Sequence, residues 1–314
     1  MRRILARTLS IFSVALLMLM VAGIAPAQPK NIAERLGYPA DAKLVILHAD
    51  DLGVAHSVDL ASFAALDQDA VSSASIMVPC PWLTEVAAFA KAHPDADLGL
   101  HLTLTSEWNT YRWGPVAPKD QVPSLLAADG YFYPDVAAVA THATPAEVER
   151  EIRAQIDLAL KMGIHPTHLD MHMGTLAAKP EFYAVLVKVA HEYHLPFLAV
   201  RVPDAREKMM ESLLSPKDAV FDSLVMFDPG VPADRWTESY VAALKAIKPG
   251  VHYMIVHLGH DDAELQAVTV GHPDFGAAWR QRDFNAVTSP QFKKALEDNH
   301  IILIHWKDLQ KLQQ

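Results

Sequence analysis

Short apolar, β-rich runs alternate along this chain with stretches of helical periodicity, and no other feature limits its fold as strongly. The strand-like runs lie at 43–50, 73–78, 98–104, 167–172, 197–202, 223–227, 253–257 and 301–305. Helical patterns fall between them at roughly 55–68, 82–92, 145–162, 180–194, 233–247 and 289–298. The third of these starts on Thr144-Pro145-Ala146-Glu147, with an N-cap hydroxyl, proline at the first helical position and an acid near the positive helix end. Strand and helix in alternation build parallel βα units. About eight such strands predict an α/β fold: one (β/α) barrel, TIM-like but deformed or incomplete. A doubly wound open sheet is the alternative.

Residues 1–27 have the layout of a signal peptide. Arg2, Arg3 and Arg7 precede an apolar stretch from Ile11 to about Ala25, and Ala25-Pro26-Ala27 is an A-x-A cleavage site. The expected protein is exported, periplasmic or secreted, and keeps no membrane contact once the leader is cleaved; an uncleaved anchor is the alternative. Cleavage removes three arginines and no acids, which moves the net charge from −10 to −13. Such an acidic surface disfavours nucleic acid or anionic membrane as partner. Cys80 is the single cysteine, so no internal disulfide is available and a packed core must supply the stability. The remaining 28–314 are half apolar and read as one catalytic domain, without linker or repeat. Homo-oligomerisation is left open.

Polar clusters close several of the predicted strands. Asp50-Asp51 ends the run at 43–50, His101 lies in Gly99-Leu100-His101, and His168-Leu169-Asp170-Met171-His172 ends the run at 167–172. In a barrel these ends, with His257, share one rim, where carboxylates and imidazoles can bind a divalent metal and leave a position for water. Period-2 alternation puts His168, Asp170 and His172 on one strand face. Asp50 and Asp51, as neighbours in an extended segment, point to different sides; one could hold the metal while the other takes a proton from water. A strand-ending turn that caps a helix is the structural alternative for Asp-Asp-Leu-Gly.

Two stretches, 105–143 and 259–288, do not follow the βα rhythm and are expected to be long loops on the catalytic face. The first carries Trp108, Tyr111, Trp113, Tyr131, Phe132 and Tyr133, which either offer platforms for sugar rings or pack the loop onto the barrel. The second carries His260, Asp261, Asp262, His272 and Asp274.

Four segments in order resemble the motifs of YdjC-type carbohydrate deacetylases, which include chitooligosaccharide deacetylases: His48-Ala49-Asp50-Asp51-Leu52-Gly53, Ser73-Ala74-Ser75-Ile76-Met77-Val78, Gly99-Leu100-His101-Leu102-Thr103-Leu104-Thr105 and Pro166-Thr167-His168-Leu169-Asp170-Met171-His172. The resemblance implies a deformed barrel related to the polysaccharide deacetylase fold, one divalent ion such as Mg²⁺ or Zn²⁺, and an acetylated oligosaccharide or glycan as substrate. It implies Asp51, His101 and His172 as metal ligands and Asp50 as general base, with His168 and Asp170 beside the metal. Val256-His257-Leu258-Gly259 is similar to a late segment in which histidine precedes Pro-Gly; Leu258 stands in the proline's place, and His257 is the candidate acid for the departing amine. Arg201, in Val200-Arg201-Val202-Pro203, matches a position that contacts substrate or orients the base. Met173-Gly174-Thr175 replaces the further histidines found in many relatives.

The expected reaction is metal-assisted removal of acetyl groups from N-acetylated sugars. An O-acetyl esterase or phosphoesterase on the same scaffold would use the same residue types. A non-catalytic exported glycan-binding protein is the alternative from another class. Cys80, between Pro79 and Pro81 with no basic partner nearby in sequence, reads as a packed thiol.

Overall fold

Alternation along the strands sorts the apolar side chains into two cores. The structure, a computed structural model, describes residues 31–201 and 212–312. The leader at 1–27, and Val202 and Pro203 of the arginine motif, lie outside the described residues. In the first strand, β1 (Lys43–Leu52), Leu44 and Ile46 join one buried cluster, while Val45, Leu47 and Ala49 join the other. The former faces the inside of a curled sheet and the latter faces the surrounding helices. Strands β2 (Ser73–Ile76), β3 (Leu98–Leu102) and β4 (Leu169–Met171) give the helix side Ala74, Ile76, Leu98, Leu100, Leu102, Leu169 and Met171. The opposite parity is therefore left for Ser73, Ser75, Gly99, His101 and Asp170, which point inward.

All pairings of named strands are parallel. With β5 (Ser223–Val225) and β6 (Gly250–Val256) the order is β4-β3-β2-β1-β6-β5. The last strand, β7 (Ile301–Leu303), pairs with Lys43–Val45 of β1, below the point where β2 takes over at His48. The result is an incomplete, deformed (β/α) barrel rather than an open doubly wound sheet.

The run at 197–202 does not form a strand over its described residues. Two isolated bridges, Leu169 to Phe197 and Val200 to Phe221, stand in its place between β4 and β5. Pro196, at the start of this stretch, has no N–H for a ladder, and only its carbonyl is used, accepting from Leu169 N–H at 2.9 Å.

Six predicted helices form: α2 (His56–Asp67), α3 (Leu83–Ala92), α5 (Pro145–Lys161), α6 (Pro180–Tyr193), α7 (Trp236–Ala246) and α10 (Pro290–Asp298). Thr144 caps α5 by accepting from Glu147 N–H. Short α1 (Ile32–Arg35) and α11 (Trp306–Gln310) close the barrel floor, where Ala33, Trp306 and Leu309 pack on the inward Leu44, Ile46 and Tyr253. The two expected loops are partly helical, a correction to the sequence reading. The first contains α4 (Val136–His142), and the second contains α8 (Ala263–Val268) and α9 (Ala277–Val287). Amphipathic periodicity is weak in α9, which buries Arg280 and Asp283 beside its apolar residues, so its sequence carries little helical signal.

Candidate active site

The inward row of β1 continues from Leu44 and Ile46 to His48 and Asp50, both buried. Asp51 would face the other way in a regular strand. The register between β1 and β2 shifts between Ala49 and Leu52, and Asp51 takes a left-handed φ of 75°. This bulge turns the Asp51 carboxylate to the same rim as Asp50. A non-glycine residue in that region costs on the order of 1–3 kcal/mol, a strain typical of functional positions.

At the rim, Asp51 Oδ1 lies 3.4 Å from His101 Nε2 and 3.4 Å from His172 Nδ1. The oxygen is buried and makes no well-formed hydrogen bond. Each of the three groups is held from behind. Arg280 Nη2 donates to Asp51 Oδ2 at 2.7 Å, the His101 Nδ1 side meets Asp170 Oδ1 at 2.7 Å, and the His172 Nε2 side meets Glu107 Oε2 at 3.0 Å. One carboxylate oxygen and two imidazole nitrogens therefore converge, all within 4.8 Å of one another. This donor set suits a borderline or hard divalent ion. Two other groups, His48-His168-Asp170 and Asp50-His101-Asp170, have metal-like spacing. In the first, His48 contacts Ser73 Oγ and Ser75 Oγ at 2.6 and 2.9 Å; in the second, His101 Nδ1 is taken by Asp170 at 2.7 Å.

Electrostatics separates the two neighbouring aspartates. Burial raises the Asp51 pKa, but Arg280 and His172 outweigh it and hold the carboxyl well below its usual range. Burial pushes Asp50 up to about 7, against the opposing pull of His101. Burial disfavours the charged imidazoles too, yet Asp170 and Asp50 raise His101 to about 9, and Glu107 and Asp51 raise His172 to about 10. Without a metal both rings are imidazolium at neutral pH. Asp170 is held well below its usual range because His101 and His48 overcome its burial, and Tyr253 also donates to it at 3.1 Å.

Deeper in the barrel, His168 is fully buried and stacks on Trp306 at 4.5 Å, one layer below His48. Gly99 is small because the His168 ring occupies the space where its side chain would stand. Burial pushes the His168 pKa well down, so the ring is neutral. His257 extends the inward row of β6, with Nε2 3.8 Å from Asp50 Oδ2. Burial lowers it to about 3, so its resting imidazole is neutral. Leu258, in the proline's place, is completely buried.

The remaining candidates lie outside this cluster. The side chain of Arg201 is 53% exposed and faces Asp222 at 4.0 Å instead of Asp50. Trp108 and Trp113 are buried against each other edge to face at 5.6 Å, and Trp113 Nε1–H donates to Thr105 O at 2.7 Å. Trp113 forms a wall beside His172, with ring centroids 6.3 Å apart. Sequence reasoning missed Glu107, Arg280, His48 and Asp283. Asp283 accepts from Trp236, Tyr240 and the backbone N–H of His257. Only His48 carried a signal, through its parity with Asp50; the others come from stretches without a βα pattern.

A family model described as YdjC-like protein matches residues 44–298. A carbohydrate deacetylase of Thermus thermophilus is 32% identical over 280 residues, covering 86% of this chain and 95% of the relative. A chitooligosaccharide deacetylase of Yersinia enterocolitica is 28% identical over 262 residues, covering 81% of this chain and 94% of the relative. Among solved structures, one from Enterococcus faecalis V583, assigned provisionally to cellobiose-phosphate cleavage, superposes with a TM-score of 0.72 at 24% identity. It covers 85% of this chain and 99% of that one, and at this identity the likeness concerns the fold.

Proposed function

Since the chain belongs to the YdjC-like protein family, we propose that it is a metal-dependent hydrolase removing acetyl groups from N-acetylated carbohydrates. The observation that carries this is the buried Asp51 Oδ1 facing His101 Nε2 and His172 Nδ1, with a second, differently tuned carboxylate next to it in sequence. Asp51, His101 and His172 would hold one divalent ion. Bound there, the ion supplies Lewis acidity toward the acyl carbonyl and acidifies water.

The rest of the chemistry falls to side chains. Asp50 titrates near neutrality and is not among the three ligands, so it accepts the proton of the attacking water. His257 is neutral at rest and cannot donate first. The proton for the departing amine therefore comes from Asp50 once it is protonated, either directly or through His257 across the 3.8 Å between them. Asp170, which also accepts from the Tyr253 hydroxyl, holds the ring of His101, and His168 supports the layer beneath.

The catalytic unit in this proposal is one domain at 28–314, exported on the leader at 1–27, and its substrates are extracellular, cell-wall or imported glycans. An N-terminus at Gln28 on the protein recovered outside the cytoplasm supports the export; retention of Met1 there, or absence from that fraction, argues against it.

Acetate release from a panel of N-acetylated and O-acetylated sugars, with and without chelator, tests the activity. Chelator-sensitive release from N-acetylglucosamine oligomers is expected. Release from O-acetyl esters alone would replace the amide with an ester, and no release from a metal-loaded protein would reject deacetylation.

A further inference from the structure

Glu107 belongs to the stretch at 105–143, expected from the sequence to be a long loop, and its position there is fixed on both sides. Thr105 bridges to Tyr133, and Ser106 N–H donates to Tyr133 O at 2.8 Å. Ser106 Oγ accepts from Arg112 Nε at 3.1 Å and from Trp113 N–H at 3.0 Å, and Trp108 on the other side is buried against Trp113. Farther along, Glu151 of α5 accepts the N–H groups of Val116 and Ala117 at 2.9 Å each. These contacts set the backbone on both sides of Glu107. Its side chain is 19% exposed and its Oε2 is 3.0 Å from His172 Nε2. An imidazole has two nitrogens, and the one that donates to a carboxylate leaves the other as the ligand atom.

Building on the metal site proposed above, we propose that Glu107 is the positioning residue for His172: it accepts Nε2–H and so presents Nδ1 beside Asp51 as the metal-binding atom. The same relation holds for His101 with the nitrogens exchanged, since Asp170 takes Nδ1 and leaves Nε2 toward Asp51. The two rings thus need opposite tautomers. The segment around Glu107 serves the site by bringing in a further carboxylate, because Asp170, the acid of β4, is already taken by His101.

The test uses metal-stripped full chain titrated calorimetrically with Zn²⁺ alone, comparing wild type with Glu107→Ala, Glu107→Gln and His172→Ala, each checked for native circular dichroism. Glu107→Ala should weaken Zn²⁺ binding by about 10- to 100-fold, and Glu107→Gln by less because its amide oxygen still accepts. The Co²⁺ absorption spectrum of Glu107→Ala should also change, which a loop anchor remote from the ligands would not cause. The proposal is overturned if both Glu107 variants bind within about threefold of wild type while His172→Ala loses affinity. It is also overturned if His172→Ala binds normally, since Glu107 would then be holding a residue that is not a ligand. Weakened Zn²⁺ binding in Glu107→Ala with no acetate release by wild type would reject the proposed reaction and leave this assignment standing.

Discussion

Asp51 and Arg280 meet in a buried ion pair at 2.7 Å across 229 positions of sequence. The guanidinium takes Oδ2 and leaves Oδ1 directed at the two histidines, so one contact both ionises the carboxylate and chooses the oxygen available for a metal. Arg280 is only 1% exposed, and its Nε is held by Phe275 O at 2.7 Å.

Replacing Arg280 with Met should therefore strand a buried anion. A loss of about 3–5 kcal/mol of stability is expected in metal-free protein, which chemical denaturation would measure. Added Zn²⁺ should restore part of it, because a cation at Oδ1 compensates the same charge. An equal loss with and without metal would show that Arg280 acts through packing alone.

Asp50→Asn should lower kcat by roughly 10²- to 10⁴-fold while Zn²⁺ affinity stays within a small factor of wild type. The pH profile has a defined sign. A general base works in its deprotonated form, and Asp50 is raised to about 7, so kcat should increase with pH toward neutrality. A cation at Asp51 favours the carboxylate form of Asp50 and moves that limb to lower pH. Activity that fell as pH rose through this region would exclude Asp50 as the base.

Metal affinity should increase with pH. His101 and His172, raised to about 9 and about 10, are imidazolium at neutral pH, and each must lose a proton to become a ligand. Calorimetry in buffers of different ionisation enthalpy should detect proton release. Affinity should rise by about tenfold per pH unit for each proton displaced, flattening only above the two pKa values. An affinity that stays constant over about two pH units around neutrality would remove both rings from the ligand set.

Trp113→Ala tests whether the aromatic loop packs or binds sugar. The indole is buried and its N–H bonded, so the substitution should cost about 3–5 kcal/mol and lower Tm. Zn²⁺ affinity should fall as well, since Trp113 backs His172. Unchanged Tm with a raised KM for acetylated oligosaccharides would make Trp113 a sugar platform instead.

Much of the barrel can be read directly from the chain. Strand periodicity is local, so parity alone places Leu44, Ile46, His48 and Asp50 on one face of β1, and His168, Asp170 and His172 on one face at β4. The six principal helices, including the Thr144 cap of α5, follow from similarly short-range signals. The stretch at 197–202 was less legible: its β-rich composition was right for pairing, but only two bridges form among its described residues.

Local sequence determined which residues enter the barrel and at what height, because side-chain direction in a strand repeats every two residues. Tertiary structure alone decided how those residues are tuned. The bulge that turns Asp51 depends on its register with β2, Arg280 arrives from a helix 229 positions away, and Glu107 reaches His172 across 65. Charge acts through space, so the ionisation of Asp51 and the nitrogen that each histidine turns toward it are set by groups that folding, and not chain order, brings within 3 Å or so.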